Sequence, residues 1–172
     1  MEWVHAFRNN GCRPNGTIQL GIFRLAGIYG PGRNAFLTLL KGRSALAEFS
    51  ELPISRVHVH DICTAVISYV KHAQSLENPF LLNVADDMPA SRKQVDEYMF
   101  QVAEEIGLKL PDAALEMNAT VGFSVRDASR ANKLVDNSRM KELLVPTLKY
   151  PTYQTGLAEI CREYQKTTED VQ

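Results

Sequence analysis

The residues best suited to hold a ligand lie in a glycine-rich turn near the start of the chain. An apolar run at residues 18–25 leads into this turn, and a helix with apolar periodicity follows from Asn34. This order predicts a strand, a loop and a helix. Ligands of open α/β sheets bind beyond the carboxyl ends of the strands, so the loop at residues 26–33 is the first candidate site.

Two phosphate-binding motifs can be tested on this loop. Gly27 and Gly32 have the spacing of a P-loop, but Arg33 and Asn34 stand where that motif needs Lys and Ser or Thr. The dinucleotide motif G-x-G-x-x-G also fails, because the glycines follow the order Gly-x-x-Gly-x-Gly and Pro31 lacks a backbone donor. A nucleotidase that binds ATP through Arg33 is therefore a distant alternative. A turn that needs glycines only for its shape is a nearer one.

Two histidines and three aspartates are the other candidates. His58 and His60 are two residues apart in a predicted strand and would share one face of it. No third ligand is near them in sequence, so we predict no metal site. Asp61 is predicted to cap the helix that follows. Asp86 and Asp87 end another predicted strand and are expected to be solvated.

The elements that would position these residues alternate between strands and helices. Strands are predicted around residues 54–59, at 80–84 and, briefly, at 134–136, and residues 45–49 would form an edge strand or a flap. The predicted helices are at residues 1–7, 34–41, 61–70, 91–106, 138–144 and 153–165. The helix at 61–70 is expected to face the core with its apolar residues, which are Ile62, Ala65, Val66, Tyr69 and Val70. Residues 111–132 read as a loop that would carry Arg126 or Arg130 toward a site.

Local sequence marks the ends of two of these helices. Asn34 suits an N-cap and Gly42 the position just after the last turn. Ser91 and Gln94 form a capping box, and Gly107 closes the helix that this box begins.

The composition is that of a globular domain. The 172 residues are 45% hydrophobic and carry a net charge of −1, which excludes a disordered chain and gives no electrostatic reason to bind nucleic acid or a membrane. Three cysteines without metal-site spacing predict reduced thiols. No apolar run reaches the ~20 residues of a membrane-spanning helix, and the first residues do not read as a signal peptide. We therefore expect a cytoplasmic protein or one of an organelle stroma.

Four stretches follow one another as in a known family. They are FRLAGIYGPGR at residues 23–33, SRVHVHDICTAV at 55–66, LLNVADDMP at 81–89 and NKLVDNSRMKELLVPTLKYPTYQTGL at 132–157. In this combination the chain resembles the extended short-chain dehydrogenase/reductases, the NAD-dependent epimerase/dehydratase family. His60 departs from the family pattern, because Asp is usual at that position.

The resemblance implies a fold, a cofactor and a set of site residues. The fold would be α/β, the C-terminal portion of a doubly wound, Rossmann-like parallel sheet with a small substrate-binding subdomain. The cofactor would be NAD or NADP, and the ligand a small hydroxylated or nucleotide-linked substrate. The implied cofactor-binding residues, beside the nicotinamide ring, are Ala26, Gly27 and Ile28. The implied substrate-binding residues are Arg24, Tyr29, Gly30, Pro31, Arg33 and Arg56. Of these, Arg56 matches a position that binds an anionic group in sugar-nucleotide members, and its alternative role is a surface ion pair.

Two parts of such an enzyme are missing from the sequence. Hydride transfer in this family uses a tyrosinate whose pKa is lowered by a lysine four residues later on the same helix face. No tyrosine here has a lysine at that spacing, and Tyr29 is followed by Arg33 on a turn. The glycine fingerprint that binds the pyrophosphate is missing as well. We therefore predict that this chain holds no catalytic residue and is inactive alone.

In the predicted organisation, the chain supplies only part of a parallel sheet and leaves strand edges unpaired. Residues 1–75 would supply late strands and helices of the Rossmann-like sheet, and residues 76–172 mainly the substrate-binding portion. A homodimer or a missing N-terminal half would pair the free strand edges, which natural proteins avoid exposing. Two alternatives stay open. One is a non-catalytic small-molecule-binding or regulatory module, and the other is a truncated gene product with an exposed apolar face.

Overall fold

The structure, a computed structural model, describes residues 12–13, 16–44, 52–115 and 134–169. Its strands are β1 (Cys12–Arg13), β2 (Gly16–Thr17), β3 (Gly21–Leu25), β4 (Gly27–Tyr29), β5 (Arg56–His58) and β6 (Phe80–Val84). Its α-helices are α1 (Ala35–Leu40), α2 (Val59–His72), α3 (Arg92–Glu105), α4 (Asp112–Leu115), α5 (Ser138–Leu143) and α6 (Tyr153–Glu169). Within these ranges, no helix has both the length and the apolar character needed to cross a membrane. The predictions for residues 1–7, for 45–49 and for Arg126 and Arg130 lie outside the described residues.

The strands form three pairs. β1 and β2 make a short antiparallel pair. β3 and β6 are parallel, with Gly21 opposite Phe80 and Leu25 opposite Val84. β4 and β5 are also parallel, with Gly27 opposite Arg56. Since α2 follows β5 and leads to β6, the parallel strands alternate with helices, and the predicted α/β class is confirmed.

β3 and β4 are one nearly continuous strand that changes its partner at Ala26. The Ala26 N–H donates to the Val84 carbonyl at 3.0 Å, and the next N–H, of Gly27, donates to the Ser55 carbonyl at 3.0 Å. The stretch predicted as a loop at residues 26–33 therefore begins as a strand. Its apolar pattern did not reveal this, because the three residues of β4 become a strand only when β5 lies beside them.

β5 fills the gap that opens where β4 and the end of β6 diverge. The Ser55 carbonyl accepts from Gly27 on one side, and the Arg56 carbonyl accepts from the Asp86 N–H at 2.7 Å on the other. A change in strand neighbours of this kind opens a crevice in which α/β sheets bind ligands. β5 thereby brings Tyr29, Arg56 and Asp86 close together.

Two apolar clusters hold the helices to these strands. One joins α1, α3 and α6 to β4 through fully buried side chains such as Phe36, Leu39 and Met99. The other joins α2 and α5 to β5 and β6, with Phe80 and Met140 at its centre. Burial of each such side chain stabilises the fold by about 1.5–3 kcal/mol. The first cluster also forms the underside of the candidate site, because Tyr29 belongs to it.

The predicted ends of α1 and α3 are confirmed. Asn34 Oδ1 accepts an N–H of the first turn of α1 at 2.9 Å. Ser91 Oγ accepts the Gln94 N–H at 3.1 Å, and Gln94 Oε1 accepts the Ser91 N–H at 2.9 Å, which completes the capping box. Gly42 and Gly107 have φ of +69° and +68°, the left-handed conformation that favours glycine after a helix.

Two local predictions are wrong. Residues 134–136 form no strand. The helix predicted to begin behind Asp61 begins at Val59, and its N-cap is His58. The carboxyl group of Asp61 is instead buried and accepts two backbone N–H groups from the loop before α6, so a long-range contact replaces the predicted cap.

α2 buries only part of its apolar surface. Ala65 and Tyr69 are buried as predicted, but Val66 and Val70, which were predicted to face the core, are 40% and 69% exposed. With Val59 and Ile67, which are 40% and 54% exposed, they form one row along the helix that we call the α2 stripe. The periodicity of the sequence identified the apolar residues of α2. It did not show which of them are buried by the rest of the described residues.

Candidate ligand-binding site

A cavity of about 380 Å³ lies between the β4–β5 pair and the beginnings of α1 and α3. The strands contribute Gly27, Ile28, Tyr29, Ile54 and Arg56 to its wall. The α1 side contributes Arg33, Asn34, Ala35, Thr38 and Ser44, and α3 contributes Arg92, Val95 and Asp96. The wall thus combines three arginines and one aspartate with small polar and apolar groups. Such a mixture suits a small ligand that carries negative charge and hydroxyl groups.

A tight turn holds Arg33 at the rim of this cavity. The N–H and carbonyl groups of Gly30 and Arg33 bond to each other at 3.0 and 3.1 Å. Gly32, inside the turn, has φ of +78°, which disfavours residues other than glycine. Asn34 tightens the turn by donating from Nδ2 to the Gly30 carbonyl at 2.9 Å. The predicted turn glycine at position 32 and the N-cap therefore act together to place the exposed Arg33 side chain.

Arg56 lies deeper in the wall. Its Nη1 donates to the Ile54 carbonyl at 2.9 Å and to the Ala90 carbonyl at 2.5 Å. Burial lowers the pKa of this guanidinium, and the neighbouring Asp86 carboxyl opposes that shift. These contacts replace the surface ion pair that was the alternative expectation for Arg56.

Tyr29 is a rigid part of the cavity floor. It is 6% exposed, and its hydroxyl donates to the Thr152 carbonyl at 3.2 Å. Burial, and after it the carboxyl groups of Asp86 and Asp61, raise the pKa of Tyr29 far above its usual range. A neutral phenol that is committed to a backbone carbonyl can shape a ligand pocket, but it does not take up a proton at neutral pH.

The structure brings together some of the residues that the sequence singled out. Gly27, Ile28, Tyr29, Arg33 and Arg56 all line the cavity. The other predicted positions do not line it, and they are Arg24, Ala26, Gly30 and Pro31. Arg24 is exposed on β3, Ala26 packs against the second apolar cluster, and Gly30 and Pro31 lie in the turn beside the cavity.

Sequence analysis did not single out several residues of the wall. Arg92 and Asp96 lie on the first two turns of α3, and Arg92 directly follows the N-cap Ser91. Ser44 is 2% exposed, and its Oγ has no hydrogen-bond partner among the described residues. A position one residue after a well-marked N-cap was a usable signal for Arg92. Nothing local in the sequence pointed to Ser44.

His58 and His60 were predicted to share one face of a strand, and they do not. His58 ends β5, is buried, and accepts the His60 N–H on Nδ1 at 3.1 Å. Its ring centre lies 3.9 Å from that of Tyr150, and burial lowers its pKa. His60 is exposed in the first turn of α2. Within the described ranges, no three His, Cys, Asp or Glu residues are grouped in a way that could hold a metal ion.

Asp86 is buried instead of solvated as predicted. It is 3% exposed, and burial raises its pKa to about 7. Asp87 beside it accepts from Lys141 Nζ at 2.9 Å and from Asn137 Nδ2 at 2.8 Å, and these contacts lower its pKa. The two carboxyl groups therefore have opposite electrostatic environments.

Comparison with known proteins gives results for structures only. No protein-family model matches the chain, and no curated protein matches it either. A functionally unknown conserved protein from Silicibacter pomeroyi is 33% identical over 84% of this chain, with a TM-score of 0.61. A putative NAD-dependent epimerase/dehydratase from Methylobacillus flagellatus is 20% identical over 84%, with a TM-score of 0.56. A dTDP-glucose 4,6-dehydratase from Bacillus anthracis, solved in complex with NAD, is 18% identical over 87%, with a TM-score of 0.61.

The match covers only part of each solved structure. This chain spans 49%, 47% and 45% of the three chains, so about half of each has no counterpart here. At 18% and 20% identity, the likeness to the two named enzymes concerns the fold. The predicted Rossmann-like α/β fold is confirmed by it. The chain thus has the fold that NAD-dependent epimerase/dehydratase structures show over about half of their length.

Proposed function

We propose that this chain is the substrate-binding part of an NAD(P)-dependent epimerase/dehydratase-type oxidoreductase of the cytoplasm. In this proposal the cavity holds a small anionic and hydroxylated ligand of the sugar-nucleotide class. The observation that carries the proposal is the cavity itself, because it lies where β5 separates β4 from β6 and is lined by Arg33, Arg56 and Arg92. The likeness of the fold to a dTDP-glucose dehydratase supports the choice of ligand class.

Electrostatics favour an anion at this place. Three guanidinium groups and one carboxyl group, that of Asp96, face a partly apolar space. Arginine suits phosphate groups because its planar fork donates two parallel hydrogen bonds. The buried hydroxyl of Ser44, which has no hydrogen-bond partner among the described residues, would serve a hydroxyl group of a sugar, whereas the side chains of Asn34 and Thr38 already donate to backbone carbonyls. A nucleotide sugar presents both kinds of group at once.

The described residues fit the edge of a nicotinamide site. Gly27 is exposed at the cavity and has no Cβ, and Ile28 beside it is 39% exposed, so a flat ring could approach this backbone. Ala26 fits less well, because it does not line the cavity and packs against the second apolar cluster. NAD or NADP would supply hydride chemistry when bound. A further α/β segment, from the same or another chain, would hold the rest of the cofactor and supply the proton-transfer residues.

The chain is expected to bind its substrate without converting it. Tyr29 is the tyrosine of the cavity wall, and its hydroxyl is fixed on the Thr152 carbonyl. The sequence contains no Tyr-x-x-x-Lys pair. The same observations also support the alternative of a non-catalytic binding module, which would bind the anionic ligand but have no use for a nicotinamide.

Calorimetric titration with dTDP-glucose tests the proposed function. We expect saturable binding that Arg33→Ala weakens by roughly ten- to 150-fold, because a lost charge-assisted contact contributes roughly 1.5–3 kcal/mol. Arg24→Ala is the matched control, since it removes an exposed arginine that does not line the cavity. Absence of binding, or equal losses in the two variants, would contradict the proposal. A parallel titration with NADH and NADPH separates the oxidoreductase part, for which weak saturable binding is expected, from the binding module.

A further inference from the structure

The carboxyl group of Asp86 is buried next to the strand that carries Arg56 of the cavity wall. Asp86 follows β6, and its Oδ1 accepts the Met88 N–H at 3.3 Å. Its Oδ2 is buried without a hydrogen-bond partner among the described residues. Its own N–H donates to the Arg56 carbonyl, which fixes the two residues on neighbouring strands. An ionised carboxylate with a buried, unpartnered oxygen is unfavourable, so this group gains a proton more readily than a solvated one does.

Charged and titratable groups from several elements surround this carboxyl group. The charges of Arg56 on β5, Asp61 on α2 and the adjacent residue Asp87 act on Asp86. Asp87 is itself paired with Lys141 of α5. The charge of Asp86 in turn raises the pKa of Tyr29 on β4. Arg56 in turn interacts with Arg92 and Asp96 of α3 and with Tyr153 of α6. Arg56 is thus the cation that stabilises ionised Asp86. Burial outweighs it, and the pKa of Asp86 stands at about 7.

We propose that Asp86 is a positioning residue that sets the positive charge which Arg56 presents to the cavity, so that an anionic ligand is bound together with a proton. This inference rests on the function proposed above. When Asp86 is ionised, it compensates Arg56 and repels an anion. When Asp86 is protonated, the guanidinium charge acts on the ligand alone. Anion binding and protonation of Asp86 therefore favour each other, as linked equilibria must.

Titration of the whole chain with sodium sulfate tests the coupling, because sulfate keeps a constant charge between about pH 5.5 and about pH 8.5. We expect binding about five- to tenfold tighter at the acid end of this range, which is the lower end of the coupling that is typical of linked sites. Calorimetry in buffers of different ionisation enthalpy should show net proton uptake near neutral pH. Asp86→Asn, which is neutral at every pH, should lose both effects and bind sulfate at the alkaline end as tightly as the original chain does at the acid end.

Asp87→Asn is the matched control, because it removes the neighbouring carboxyl group that Lys141 already pairs. This variant should keep both the pH dependence and the proton uptake. The proposal is overturned if Asp86→Asn keeps the original pH profile or if Asp87→Asn loses it. If Asp86→Asn does not fold, proton uptake by the original chain decides, and its absence overturns the proposal. Sulfate binding that is independent of pH overturns this inference alone, whereas no sulfate binding in any variant overturns the proposed anion site as well.

Discussion

Asp86 and Asp87 are adjacent in sequence but differ in burial, in hydrogen bonding and in the direction of their pKa shifts. Asp87 reaches the surface and pairs with Lys141, while Asp86 points inward beside Arg56. The sequence suggested two solvated carboxylates at the end of a strand. It could not show more, because the burial of Asp86 arises only when β5 lies beside the end of β6, where the Asp86 N–H donates to the Arg56 carbonyl. Residue roles at such junctions depend on contacts between distant parts of the chain.

The buried Asp86 should make stability depend on pH. Its pKa in the folded chain, about 7, lies above the value near 4 expected when the chain is unfolded, so folding favours the protonated form. Its contribution to stability is therefore fully present below about pH 4 and is lost as the pH rises through about 7. The whole effect is on the order of 2 to 4 kcal/mol.

Thermal unfolding of the original chain and of Asp86→Asn from about pH 4 to about pH 8 measures this contribution. Subtracting the two curves removes the other titrating groups that both proteins share. The difference should grow in favour of the variant as the pH rises. A constant difference across the range would show that Asp86 keeps an ordinary pKa.

At the scale of elements, local signals were the most informative. The caps at Asn34 and Ser91 and the glycines after α1 and α3 were predicted correctly, because a cap depends only on residues within one helical turn. Two predictions failed because they depend on distant residues: β4 was predicted as a loop, and Asp61 was predicted as a helix cap. Each depends on a partner about 30 to 90 residues away, Arg56 in one case and the Tyr150 backbone in the other.

The contact between β4 and α6 supports a prediction at this scale. A Cβ added to Gly156 would lie 2.6 Å from the Tyr29 hydroxyl and 2.8 Å from its ring, which is closer than atoms can pack. Gly156→Ala should therefore destabilise the fold by about 1–3 kcal/mol, although alanine is ordinarily the better helix residue. Chemical denaturation of this variant gives the value.

A double-mutant cycle provides the control for this contact. When Tyr29→Ala removes the hydroxyl and the ring, Gly156→Ala should become stabilising by about 0.5–1 kcal/mol, as helix propensity alone predicts. If Gly156→Ala already stabilises the original chain, Tyr29 does not rest on α6 in the way the structure shows.

At the scale of the whole molecule, the α2 stripe shows that the described chain does not cover all of its own apolar surface. This chain spans 45–49% of the three solved structures that share its fold, and the further α/β segment that we propose would account for the exposed apolar face. The apolar positions of α2 were readable from sequence. Which of them would be buried was not, because that depends on what packs against the second side of the helix.

This exposed row predicts self-association of the chain. We expect the mean mass in light scattering to rise with concentration, and the triple change Val66→Ser, Ile67→Ser and Val70→Ser to weaken association by at least about tenfold. Leu134→Ser is the matched control, because Leu134 is 65% exposed and belongs to the segment before α5, not to α2. A chain that stays monomeric, or an equal effect of the control, would show that the α2 stripe is not a contact surface.

The proposed function depends on the cavity between the β4–β5 pair, α1 and α3. The most direct measurement is an amide NMR titration of the isotope-labelled chain with dTDP-glucose. We predict saturable chemical-shift changes at the amides of Gly27, Ile28, Arg33 and Ser44 and no changes at the amides of α2. Chemical-shift changes centred on α2, or no changes at the highest soluble concentration of dTDP-glucose, would contradict the claim that this cavity is the binding site.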